Sequence, residues 1–147
     1  MNCLKSHLAV AVGFALLLTA SPVGAHHAFS AEFDGDKPVV LHGSLTKMEW
    51  SNPHGWIYVD VKEPDGSITP WSVEIGTPNS LVRRGVRKGD FEVGIEIVIS
   101  GFRAKDGSHT ANGRTVKFSD GREFNVGAEG APVFSEGPKS SSEGTKP

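Results

Sequence analysis

The chain reads as mainly β, a small OB-like barrel of five to six strands with one short helix between strands three and four. Three observations predict this. Apolar residues alternate over short runs, as at Ile57, Val59 and Val61, which places them on one face of a half-buried strand. Turn-forming pairs (Asp65-Gly66, Asp106-Gly107, Asp120-Gly121) punctuate the runs. One stretch between the third and fourth runs carries helix signals, with Thr77-Pro78 as N-cap and first position and Gly85 as stop. That order, with a bent, glycine-bearing first strand, belongs to an OB-type barrel, and a plain β-sandwich is the competing arrangement.

Residues 39–50 form the first strand. Their apolar parity shifts around Gly43, from Leu41 and Leu45 to Met48 and Trp50, which predicts a bend or bulge there. In the second strand, residues 56–61, Trp56, Tyr58 and Asp60 share the face opposite Ile57 and Val59. The turn Pro64-Asp65-Gly66-Ser67 leads to the third, with Trp71, Val73 and Ile75 on one face and Ser72 and Glu74 on the other. In the helix, Leu81 and Val82 supply the buried side, and Arg83 and Arg84 suit the negative end of the helix dipole. Ile95, Ile97 and Ile99 mark the fourth strand, residues 114–118 the fifth, and residues 123–126 a short last strand after the Ser119-Asp120-Gly121-Arg122 turn. Trp50 and Trp71 are expected in the core.

The flanks differ in composition. Residues 1–25 read as a signal peptide: Lys5 precedes an apolar run at 8–20, too short for the roughly 20 residues of a membrane span, and Val23 and Ala25 are small residues at the cleavage positions. A periplasmic or secreted protein follows, with no stable membrane span after cleavage. The single cysteine, Cys3, lies in this leader. Residues 26–37 form an arm that Phe29 and Phe33 pin to a barrel spanning 38–126, and residues 127–147, rich in Gly, Pro, Ser, Glu and Lys, read as a disordered tail. The net charge of −2 becomes more acidic when Lys5 leaves with the leader. An acidic domain is a poor partner for a phosphate backbone, so no nucleic-acid role is expected.

Cleavage after Ala25 would start the mature chain at His26-His27. The new α-amine and the His26 imidazole, with ordinary pKa values near 7.7–8.0 and 6.5, both lose their protons easily at neutral pH and close a chelate ring on one ion. His54 in the first loop and His109 in the second are the expected further ligands, with His27, Glu32 and Glu49 as secondary candidates. Nitrogen donors in a plane favour Cu(II), and the same donors in a tetrahedron take zinc, so copper is the expected cofactor. His42, mid-strand, reads as structural. Trp56, Tyr58 and Glu74 form a candidate ligand-binding face for a ring, a sugar or a periplasmic partner protein. Neither a Gly-x-Ser-x-Gly elbow nor HExxH nor a glycine-rich phosphate loop is present, which argues against catalysis by side chains alone. Three readings follow: a copper- or divalent-metal-binding module, a metal-free interaction or small-ligand module, and a copper-dependent redox enzyme.

The segments HHAFSAEFD, GSLTKMEWSNPHGWIYVDV, PNSLVRRGVRKGD and GFRAKDGSHTANGRTV resemble a family of small exported bacterial proteins, domain-of-unknown-function family 6152, over about residues 25–122. The resemblance rests on the His26-His27-Ala28-Phe29 start, the Glu49-Trp50-x-Asn52-Pro53-His54 segment and Gly101-x-Arg103-Ala104. It implies a single-domain β protein outside the cytoplasm and brings no activity, cofactor or catalytic residue with it.

Overall fold

In the computed structural model, which describes residues 29–128, the alternating runs become six strands: β1 (Phe33–Glu49), β2 (Gly55–Lys62), β3 (Ile68–Ile75), β4 (Glu96–Ala104), β5 (Thr110–Phe118) and β6 (Glu123–Asn125). A short helix α1 (Pro78–Arg83) and a single 3₁₀ turn (Lys88–Asp90) lie between β3 and β4. Neighbours in the order β3-β2-β1-β4-β5-β6 run antiparallel, and a parallel pairing of β3 with β5 over Ser72–Glu74 closes the sheet into a small, uneven OB-like barrel. The leader, His26, His27 and residues 129–147 of the tail lie outside the described residues.

Two strands bend where the sheet curls. β1 pairs with β4 through its first half and with β2 through its second, and its register slips between Leu45 and Lys47, so Thr46 is the extra residue of a bulge. The parity shift seen around Gly43 is this bulge, displaced toward the C-terminus. Gly43 serves a different need: a Cβ there would lie 2.8 Å from the Asp60 carbonyl oxygen, so its strand approaches β2 more closely than a side chain permits. A second slip, at Ser100/Gly101, leaves Arg114 as the extra residue of β5. Pro70 interrupts neither ladder, because β5 joins the free edge of β3 only from Ser72 onward.

The barrel interior holds Leu41, Leu45, Ile57, Val59, Val73, Ile75, Ile99 and Val116, all nearly inaccessible, with Trp71 at its margin and Trp50 partly buried against it. Thr77 caps α1 by accepting from the Ser80 amide at 3.3 Å, Pro78 opens the helix, and Gly85 follows it at φ 85°. The expected buried side of this helix is half right. Leu81 is fully buried, but Val82 is 56% exposed, since only one edge of a six-residue helix meets the barrel.

Both ends of the domain reach further than composition indicates. Residues 29–32 are helical, β1 starts at Phe33, and Phe29 lies 5.8 Å from the Phe33 ring and 5.7 Å, edge-on, from Phe102. At the other end Gly127 is buried, and its carbonyl accepts from the Arg84 guanidinium at 2.5 Å.

Candidate functional site

Strand register sorts the candidate residues by face. Trp56 lies opposite Glu74 across β2 and β3, Glu74 lies opposite Asn112 across β3 and β5, and Asn112 lies opposite Phe102 across β5 and β4. Paired residues share a face, so Trp56, Glu74, Asn112 and Phe102 form one row on the outside of the barrel. The arm roofs this row, with Phe29 on Phe102 and the Glu32 carbonyl accepting from the Lys105 amide at 2.9 Å. A groove of about 590 Å³ opens beside it, lined by Glu32, Phe33, Trp56, Lys105, Asp106 and Thr110 among others. The ligand face of an OB barrel, between its first and fourth-to-fifth loops, occupies this position.

His54 and Glu74 are the two predicted site residues that the fold brings into contact: the imidazole Nδ1 of His54 meets the Glu74 carboxylate. The Ser51 hydroxyl, donating to the His54 carbonyl at 3.0 Å, braces the loop that presents the ring. His54 also borders a smaller cleft of 190 Å³ with Thr77, Ser80 and Arg83. The Glu74 side chain is 8% exposed whereas that of His54 is 40% exposed. Burial raises the Glu74 carboxyl above the ordinary range, His54 draws it part of the way back, and the nearby Glu32 carboxylate pushes it up again. The pair is therefore a buried acid short of positive charge, with a second carboxylate at its side.

The other candidates sit apart. His109 is exposed in the bend just before β5, and its ring lies 5.2 Å from the Trp71 ring. It joins Arg103, 5.5 Å from the same ring, in covering that end of the core. The two histidines have different described partners, Glu74 for His54 and Trp71 for His109. Tyr58 shares the outer face with Trp56 but not the groove: Lys47 lies 5.1 Å over its ring and forms a 2.5 Å ion pair with Glu49. Glu49 is thereby committed to Lys47, which holds its carboxyl below the ordinary range. His42 is exposed on β1.

Asn112 was not among the sequence candidates. It is 3% exposed, and its Oδ1 is fully buried without a hydrogen-bond partner among the described residues. No local pattern marks it, since its relation to Glu74 exists only once β3 and β5 pair. Among the described residues no group of three or more His, Cys, Asp or Glu side chains forms a ready metal cage.

A family model described as "Family of unknown function (DUF6152)" matches residues 15–113. No curated protein and no solved structure matches.

Proposed function

The chain belongs to DUF6152, a family without an assigned activity, and from the chemistry of its own residues we propose that it is an exported binding module for copper or another divalent metal. In this reading His26, through its amine and imidazole, reaches the His54–Glu74 pair, and His27 and Glu32 stand by as further donors. One observation carries it: Glu32 on the arm lies close enough to Glu74 to disfavour its charge. In this reading the arm from His26 runs toward the one described imidazole–carboxylate pair. Residues span at most about 3.6 Å each, so the mature terminus starts within reach of the row that Phe29 roofs. A cation there would neutralise two carboxylates, one of them buried, which neither histidine nor solvent does fully.

The test is a Cu(II) titration of the mature chain beginning at His26, read by calorimetry and electron paramagnetic resonance. Stoichiometric binding with nitrogen couplings is expected, weakened about ten-fold or more by His54→Ala or by one extra residue ahead of His26. Unchanged affinity in the extended chain discards the terminal chelate. The Trp56-lined groove favours a second reading, a metal-free module for a planar small ligand or a partner protein, in which Trp56→Ser abolishes binding and metal has no effect.

A further inference from the structure

The two middle members of the outer row are a carboxylate and a side-chain amide. Glu74 is 6% exposed and Asn112 3% exposed, they lie directly opposite each other, and Asn112 Oδ1 is fully buried with no hydrogen-bond partner among the described residues. The Asn112 amide can offer its Nδ2 hydrogens to a neighbouring acceptor, but its Oδ1 still needs a donor or a cation, and buried polar atoms in folded proteins are nearly always satisfied. The neighbours above and beside them do not cure this. Trp56 and Phe102 are the flanking aromatics of the row, and Glu32, the nearest charged group of the arm, is another carboxylate. The His54 imidazole is engaged with Glu74. What Asn112 Oδ1 lacks among the described residues is a positive partner.

We infer that Asn112 Oδ1 is a metal-facing donor beside Glu74 and His54, so that the site is a mixed nitrogen–oxygen set for a divalent ion and not a cuprous one. This rests on the metal-binding reading given above and names the class of ion it takes. Carboxylate and amide oxygens suit divalent ions, whereas Cu(I) is selected by thiolates and thioethers. Soft donors are scarce in this chain: its single cysteine is Cys3, and Met48 is the one methionine besides Met1. Asn112 becomes the residue that sets selectivity, since its oxygen is the contribution that an all-nitrogen pincer would not have.

The experiment uses the mature chain from His26 and three variants: Asn112→Leu, which keeps the approximate size and removes the oxygen; Asn112→Asp, which adds a charge; and the chain with one extra N-terminal residue. Affinities for Cu(II), Zn(II) and, under anaerobic conditions, Cu(I) are measured by chelator competition, alongside melting temperatures with and without Zn(II). Expected for Asn112→Leu is a loss of about ten-fold or more in Cu(II) and Zn(II) affinity with Cu(I) affinity unchanged. Its metal-free melting temperature should not fall, because an orphaned acceptor has been removed. Asn112→Asp should bind both divalent ions more tightly than the unaltered chain, and this variant decides the matter if the leucine protein does not fold. Divalent affinity that is indifferent to Leu and Asp alike, yet lost in the extended chain, overturns the role of Asn112 and leaves the metal reading standing. An unaltered mature chain that binds no metal overturns both.

Discussion

Glu74 illustrates how much of this protein's chemistry is decided by a single strand position. One residue to either side, at Val73 or Ile75, the β3 side chain enters the core; at Glu74 it enters a row roofed by the arm, where burial outweighs the attraction of His54 and the carboxyl is raised. The consequence for stability has a definite sign. A raised folded-state pKa means that the native protein binds the Glu74 proton more tightly than the unfolded chain does. The corresponding stabilisation is complete below the unfolded value of about 4.3 and is lost as pH climbs through the raised value. Glu74→Gln, which carries no charge to bury, should therefore melt higher than the parent at pH 7–8 in the metal-free state. Its advantage should shrink on acidification and level off below about pH 4. Melting curves across that range check this, and an advantage that grows toward acid would mean that the His54 pairing, not burial, governs the carboxyl.

The strands show which parts of the fold the residues announce locally and which they do not. Ile57, Val59 and Val61 alternate over adjacent positions, and Thr77-Pro78 caps its helix within four residues, so these elements were legible in the sequence. The start of β5 was not. Thr110 and Asn112 face the polar row while Ala111 and Gly113 face the core, and Gly113 is small because a Cβ would lie 2.8 Å from Val73 Cγ1. Small inward and polar outward residues carry no hydrophobic period, so the segment reads as loop, and with it the partnership of Asn112 and Glu74 disappears from view. His109 lies in the loop before β5, where strand parity assigns no face, so its packing against Trp71 was not legible either. Glycines at the bends make the same point energetically. At Gly101 a Cβ would drive into the backbone carbonyl of Asn112, at the register slip that curls β4 against β5, whereas at Gly66 it would meet nothing within 4 Å. Gly101→Ala should cost about 2 kcal/mol or more in urea unfolding. Gly66→Ala, strained only by its φ of 87°, should cost about 1 kcal/mol. Equal losses would show that backbone conformation, not strand approach, demands glycine at Gly101.

At the level of the whole molecule the barrel and its arm are two apolar assemblies of unequal size. The main core runs through the barrel interior, while Phe33, Phe102 and Ala104 are buried separately, on the outer face beneath the arm. The described contacts of the arm include Phe29 against Phe33 and Phe102, the Lys105 amide on the Glu32 carbonyl, and the Lys105 ammonium on the Ser30 carbonyl at 2.5 Å. A small apolar cluster with solvent-exposed hydrogen bonds opens at lower free energy than a closed barrel does. The arm is thus expected to lift off without unfolding the strands. Lifting it uncovers Phe102, the end of the row, and opens the groove that Glu32 and Trp56 line. Phe29→Ala removes the ring that bears on Phe102 and should weaken the arm alone. In native-state hydrogen exchange the Lys105 amide should then exchange faster, by about ten-fold or more, while the amides of Ile57 and Val59 in β2 keep their protection. Should β2 and Lys105 lose protection together, arm and barrel open as one cooperative unit, and the roof over the row is part of the fold rather than a door to it.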